Sequence, residues 1–302
     1  MEEYLDRFIT YLVVERNASP YTARNYRREV GEFLRFLKGE AISSLQEVDR
    51  QHLFRYLLWL NAGDYAKASI RRRISELRSF FKWLVREGVL KSNPVEAISA
   101  PKMPKRLPRY LKPEEIGAIM QAPDTSQPLG QRNRAILEIL YATGVRVSEL
   151  AGLDLASLDR AKGEMRVRGK GGKERIVLLG QPARDALDLY LREGRPKLLK
   201  GKRTSALFLN RLGERLSVRG VQLMLDRCAR KAGLRWVTPH LFRHTFATHM
   251  LGGGADLRVV QELLGHASLS STQIYTHVSQ RRAREVYMNS HPLAREGEAE
   301  GG

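Results

Sequence analysis

Between Thr238 and Val278 the chain reads TPHLFRHTFATHMLGGGADLRVVQELLGHASLSSTQIYTHV, a single run that carries His240, Arg243, His266 and Tyr275. These side chains suit chemistry at a phosphate. A phosphodiester repels nucleophiles with its own charge, so a protein must fix positive charge where negative charge grows in the transition state. Arginine does this well, because it is always charged and its planar fork binds two oxygens at once. Arg243 is one candidate. Arg146, in ATGVRVSEL, is another, with Glu149 three residues on to orient its guanidinium. Tyr275 is the candidate nucleophile. Its free pKa of about 10 leaves it protonated at neutral pH, so neighbouring cations and a histidine must activate it. Attack by a tyrosine on a phosphodiester would give a phosphotyrosine and conserve the bond energy, so the broken linkage could be rejoined without ATP. Lys170, in the turn Gly169-Lys170-Gly171-Gly172-Lys173, could protonate the leaving oxygen. Taken singly, each has a plainer reading: a helix-end arginine, a packing tyrosine, a solvated turn lysine. His240 and His244 stand four apart like half a metal site. Arg243 lies between them and the glutamate base of the zinc-protease pattern is missing, so no metal is expected. The lysine turn has the wrong spacing for a nucleotide-phosphate loop, and no cofactor is expected.

The elements that would carry these residues are marked by caps. Thr238 suits an N-cap and Pro239 the first helical position, where its missing N–H has no partner to lose. That places His240, Arg243 and His244 on one helix face, and Gly252-Gly253-Gly254 ends it. A second helix is expected over Leu257–Leu264 with Gly265 as its stop, and a short helix capped by Ser270 to Thr272 would carry Tyr275. Upstream, an apolar helix over Asn133–Tyr141 runs to the break at Gly144. Glu164–Arg168 and Glu174–Leu179 alternate in strand fashion, making an antiparallel hairpin with Lys170 in its turn. Helix returns over Ala183–Arg192 and again over Val218–Lys231.

Residues 1–98 read as all helix. Ser19-Pro20 opens one helix whose apolar stripe is Tyr26, Val30, Phe33, Leu34 and Leu37, with Arg24, Arg27 and Arg28 on the other face. A second, from near Ala66, buries Ile70, Ile74, Leu77, Phe81 and Leu84. Arg71, Arg72, Arg73, Arg78 and Lys82 lie between or opposite them. Ser99–Arg109 (SAPKMPKRLPR) has three prolines, four cations and no acid, so it reads as a basic linker, with Lys102 and Lys105 able to follow a phosphate backbone.

Charge agrees with that chemistry. Over 302 residues there are 52 Lys and Arg against 33 Asp and Glu, a net of +19, most of it beyond residue 98. An excess of this size points to a polyanion, and to nucleic acid ahead of an anionic membrane. Hydrophobic residues make up 42%, normal for globular domains, and the length suits about two of them. The single cysteine, Cys228, fits a reducing compartment, and no signal-like start or long apolar run is seen, so a cytoplasmic location is expected.

Taken together, ATGVRVSELAGLDLASLD over residues 142–159, HLFRH, LLGH and a tyrosine nine residues after His266 resemble the tyrosine recombinase/integrase family, most closely its Xer-type site-specific recombinases. The likeness extends over nearly the whole chain. It implies a mainly α fold with a small antiparallel β-sheet. Residues 1–98 would be a helical, SAM-like core-binding domain, 99–109 a linker, and 110–302 an α+β catalytic domain. It implies Tyr275 as the nucleophile of a 3′-phosphotyrosyl link, and Arg146 and Arg243 as a clamp on the scissile phosphate. His266 would add a donor, Lys170 would be the general acid and His240 would assist proton transfer, with neither metal nor ATP. The resemblance also implies a C-shaped clamp on double-stranded DNA at a roughly palindromic site. Four protomers, of this chain or with a homologue, would join by exchanging the segment after about residue 280, through Tyr287 and His291-Pro292. Chromosome-dimer resolution is the role suggested, a DNA translocase being one conceivable activator. Integration or resolution of a plasmid or mobile element is the alternative, and a type IB topoisomerase a more distant one. The helix from Val218 resembles one that enters a major groove, with Arg219 and Gln222 near its start to read base edges. Arg24, Arg28, Arg71 and Arg72 are the expected contacts of the first domain. The Glu- and Gly-rich end, 296–302, does not look like a family feature.

Overall fold

The computed structural model describes residues 1–99, 101, 109–169, 172, 174–265, 286–287 and 289–292. The chain divides into two compact units, Met1–Arg106 and Leu107–Gly302.

Among the described residues, the first unit holds four α-helices, α1 (Glu2–Val14), α2 (Pro20–Gly39), α3 (Arg50–Ala62) and α4 (Lys67–Arg86), and a short 3-10 turn, Leu45–Glu47. Its helix starts are those the caps foretell. Ser19 Oγ accepts the Thr22 backbone N–H at 3.2 Å, and Pro20 occupies the first helical position. Asp49 caps α3 by accepting from Gln51 and His52, while His52 Nδ1 accepts the Asp49 N–H at 3.3 Å. The apolar stripes meet in one core of Phe8, Val30, Phe33, Leu37, Leu60, Phe80 and Phe81, all at 0% exposure. Each buried Phe of this kind contributes about 1.5–3 kcal/mol over an exposed one.

Not every arginine of α4 lies on an open face. Arg73 is buried, paired with Glu32 at 3.0 Å and stacked over Tyr65. Arg72 is exposed at its edge but its guanidinium is forked onto the buried carboxylate of Glu29. Arg28 reaches the same carboxylate at 2.8 Å. Arg24 and Arg71 are exposed, Arg24 lying over the Tyr21 ring. Glu76 is buried beside Glu29; burial, then the Glu29 charge, pushes its pKa up to about 8.

The second unit is organised around α6 (Pro128–Thr143), whose residues from Ala135 to Thr143 are all buried. α5 (Pro113–Gln121) packs on it, and α7 (Val147–Ala151) follows after a turn. β1 (Leu158–Asp159), β2 (Glu164–Arg168) and β3 (Glu174–Leu178) form an antiparallel sheet in the order β1-β2-β3. Across β2 and β3, Met165 faces Val177 and Val167 faces Arg175, and these four point inward. α8 (Gln181–Leu189) ends earlier than its periodicity suggests. A single wide π-helical turn, Tyr190–Gly194, leads into α9 (Arg195–Leu199). Pro196 has no N–H to give the preceding turn and its ring would meet a carbonyl of a regular helix, so the wider turn accommodates it. α10 (Val218–Lys231), α11 (Pro239–Gly252) and α12 (Leu257–Leu264) complete the unit, with the bounds of α10 and α12 as expected.

Near the C-terminus, Tyr287 and His291 are buried among α6, α11 and α12 of their own unit. His291 Nε2 lies 3.2 Å from the Tyr141 carbonyl, and its ring stacks on Tyr287 at 4.9 Å. Among the described residues no helix is long and apolar enough to cross a membrane.

Candidate active site

Arg146 is fixed by the turn that carries it. Gly144 ends α6 in the left-handed region at φ 58°. A Cβ there would stand 2.6 Å from Phe246 and 2.8 Å from Leu264, so both the backbone angle and the space demand glycine. Arg146 then caps α7, its backbone N–H donating to Glu149 Oε2 at 2.9 Å. Its Nη1 donates to Glu149 Oε1 at 2.9 Å, the orienting contact that the i, i+3 spacing suggests. Nη2 donates to the Gly265 carbonyl at 3.2 Å.

Arg243 comes from α11, whose first turn is closed by Thr238 Oγ1 accepting from the Leu241 N–H. Its Nη1 donates to the Gly144 carbonyl at 2.7 Å and Nη2 to the Leu264 carbonyl at 2.6 Å. Burial, reinforced by the positive charges of Arg146 and Arg175, pulls its pKa down to about 10. It stays protonated at neutral pH, but it is a cation short of counter-charge.

The third guanidinium is that of Arg175 on β3, which no sequence motif singles out. It grips Glu149 with two donors, Nη1 to Oε1 and Nη2 to Oε2, both at 2.9 Å, while Nε donates to the Leu263 carbonyl at 3.0 Å. The signal was its phase. In an alternating strand Arg175 stands in register with Val177 and Leu179, on the inward face, where a lone charge requires a partner. Glu149 is that partner. Burial would raise its pKa, but the hydrogen bonds and charges of Arg175 and Arg146 prevail and hold it below the usual carboxylate value.

Three arginines from three elements therefore meet at one helix end, two of them also on the Glu149 carboxylate. Leu263, Leu264 and Gly265 are consecutive, and their carbonyls accept from Arg175, Arg243 and Arg146 in that order. The C-terminal end of a helix carries partial negative charge, so cations gather there favourably. Exposure separates the three: Arg146 keeps 40% of its side chain open, whereas Arg243 and Arg175 are each 8% exposed. The cluster has a net positive charge and one open guanidinium, and it can accept an anion of phosphate size by handing over donors now spent on carbonyls.

Of the six catalytic candidates, Arg146 and Arg243 are brought together at the end of α12, and His240 lies exposed in the first turn of α11. Lys170, His266 and Tyr275 lie outside the described residues, as do Lys102 and Lys105. Arg219 is exposed and Gln222 half-buried in the first turns of α10, which Ser217 caps. His249 on α11 is half-buried, with its Nδ1 2.9 Å from the Tyr141 hydroxyl and its pKa lowered by burial.

Residues 109–282 match the phage integrase family, and residues 5–88 match the phage integrase N-terminal SAM-like domain. The chain belongs to the phage integrase family. Among its relatives, the tyrosine recombinase XerC of Pelotomaculum thermopropionicum is 46% identical, over 98% of this chain and all of that one. The tyrosine recombinase XerD of Halalkalibacterium halodurans is 42% identical, over 96% of this chain and 98% of that one. Among solved structures, XerH site-specific recombinase bound to a palindromic difH substrate in a post-cleavage complex aligns with a TM-score of 0.68 at 26% identity, covering 93% of this chain and 82% of that one. The chain is accordingly a tyrosine recombinase, an enzyme of site-specific recombination.

Proposed function

We propose that this protein cuts and rejoins double-stranded DNA at a roughly palindromic site, using Tyr275 as nucleophile. The observation that carries the reading is the convergence of Arg146 and Arg243, from separate helices, on adjacent carbonyls at the end of α12. In the sequence His266 follows directly and Tyr275 nine residues later.

In the step proposed, the Tyr275 oxygen attacks the scissile phosphorus and the bond to the 5′ oxygen breaks. The phenol proton leaves with help from His240, and Lys170 gives a proton to the departing 5′-hydroxyl. Arg146 and Arg243 bind the non-bridging oxygens, with His266 as a further donor, where charge builds in the transition state. The 5′-hydroxyl of a second duplex then reverses the chemistry on the 3′-phosphotyrosyl link, and exchange is complete. Four protomers on two duplexes, of this chain or with a homologue, satisfy that geometry. Among solved relatives, XerH site-specific recombinase is bound to a palindromic substrate and lambda integrase forms a tetramer on a Holliday junction. Arg24, Arg28, Arg71 and Arg72 in the first unit, Lys102 and Lys105 between the units, and Arg219 and Gln222 on α10 are assigned to the duplex. A cytoplasmic protein resolving chromosome dimers is the role we favour, since the curated relatives are Xer recombinases over nearly their whole length.

The test is a plasmid with two directly repeated cognate sites, incubated with protein in the absence of nucleotide. Excision of the intervening DNA, requiring both sites, is the expected result. Relaxation of supercoils on a plasmid lacking any site, with no excision, would instead assign the protein to topoisomerase chemistry.

A further inference from the structure

We infer that Arg175 is a positioning residue of this site: it holds Glu149 and the last turn of α12 in place while Arg146 and Arg243 turn their donors to the scissile phosphate. The inference rests on the strand-transfer reading above and deepens it.

The argument begins from where each guanidinium spends its hydrogen bonds. In the free protein the end of α12 is held by three arginines, one on each of the carbonyls of Leu263, Leu264 and Gly265. Two of the three are the proposed phosphate clamp. An N–H that turns to a phosphate oxygen leaves its carbonyl, so wherever Arg146 and Arg243 give these same N–H groups to DNA, the hold on Leu264 and Gly265 weakens. Those are the residues directly before His266 in the sequence. If nothing else anchored α12, the arrival of substrate would loosen the chain leading to the nucleophile at the moment it must be placed.

Arg175 is the anchor that substrate does not take away. It is buried, and its Nε, Nη1 and Nη2 are committed to the Leu263 carbonyl and to both oxygens of Glu149. It therefore offers no open fork to a phosphate. Through Glu149 it also sets the base of Arg146, since that carboxylate receives both the backbone N–H and Nη1 of Arg146. One side chain thus ties β3, α7 and α12 together. In chain order it also stands five residues after Lys170, on the strand that leaves the lysine turn. Lysine cannot replace it, because a single ammonium lacks the planar fork needed to hold two carboxylate oxygens and a carbonyl on a third side.

The experiment compares full-length Arg175→Gln, Arg175→Lys and Glu149→Gln/Arg175→Gln with the wild-type protein on a nicked suicide duplex carrying the cognate site. Equilibrium binding and single-turnover cleavage are measured separately. Arg175→Gln and Arg175→Lys are expected to bind the duplex within about threefold of wild type and to cleave it about 10²-fold more slowly, the cost of a misplacement of about 1 Å in a reacting group. Millimolar methylguanidinium, against a sodium chloride control of equal ionic strength, should restore part of the rate to an Arg175→Ala variant. A purely structural role would not produce that rescue. The double variant removes both buried charges together, so it should fold even if Arg175→Gln were destabilised by the unpaired Glu149, and it should still cleave slowly. Cleavage within threefold of wild type in any folded variant would overturn the inference, as would failure of every variant to fold, which would assign Arg175 to the fold rather than to the site. Wild-type protein that forms no adduct at all would instead sink the strand-transfer reading.

Discussion

Replacing Gly144 with alanine tests how the fold and the site depend on one turn. The residue sits at φ 58°, ψ 22°, and left-handed backbone costs a residue with a Cβ about 1–2 kcal/mol. The added methyl group would also lie 2.6 Å from a Phe246 ring carbon and 2.8 Å from a Leu264 methyl carbon. Both neighbours are buried, at 1% and 5% exposure, and overpacking of this kind costs about 1–3 kcal/mol. The sum is about 2–5 kcal/mol, a large part of the stability of a typical domain. Activity should suffer beyond stability, because the Gly144 carbonyl accepts from Arg243 and the displaced Leu264 accepts from the same guanidinium. Equilibrium urea unfolding followed by far-ultraviolet circular dichroism measures the first effect, and single-turnover cleavage at low temperature measures the second. Gly252→Ala is the control: it lies in the last turn of α11, has ordinary backbone angles and open space around a new Cβ, and alanine suits a helix. The reasoning is refuted if Gly144→Ala unfolds at the same urea concentration as the Gly252→Ala protein.

Removing either clamp arginine, as Arg146→Ala or Arg243→Ala, should slow single-turnover cleavage by at least about 10²-fold while leaving duplex binding within about tenfold, as for loss of an oxyanion donor; equal losses in both would argue against the clamp. The docked C-terminal stretch should loosen in acid. Burial pulls the His291 pKa down to about 4, with Tyr141 and His249 nearby, whereas a released chain titrates at about 6.5. The neutral, docked form is then fully favoured above about pH 6.5, and up to about 3 kcal/mol is lost as pH falls toward 4. Hydrogen exchange at Tyr287 to His291 should report this, and His291→Phe should flatten it. In the first unit, burial beside Glu29 pushes Glu76 up to about 8, from an ordinary value of 4.5. That raised value favours the folded state fully below about pH 4.5 and is lost as pH rises through 8, so Glu76→Gln should stabilise the unit at alkaline pH and remove the dependence. Thermal melts of the two proteins at a series of pH values check the sign.

Much of this was legible because it is local. Ser19-Pro20, Thr238-Pro239 and Leu264-Gly265 announce helix ends through the hydrogen bonds that a cap residue can or cannot make, and the structure has them there. The pairing of Arg146 with Glu149 needed only a spacing of three. What periodicity hid was long-range. Arg72 and Arg73 read as part of a basic face, Arg72 as a contact of DNA, but their partners Glu29 and Glu32 stand more than forty residues earlier, and a charge pattern along one helix carries no sign of a carboxylate on another. Arg175 was concealed in the same way, one cation among several in GKGGKER, although its phase with Val177 marked it as inward. The shortened α8 shows the limit of a period without stereochemistry: apolar spacing runs on while Pro196 forbids a regular turn.

The most direct measurement of the central claim is the fate of one phosphate. Incubated with a nicked suicide duplex and run on a detergent gel, the wild-type protein should trap a covalent protein–DNA adduct on the 3′ side of the break, and mass spectrometry of the digested adduct should place it on Tyr275. The adduct should vanish in Tyr275→Phe. An adduct that persists in that variant, or attachment at any other residue, would contradict the account.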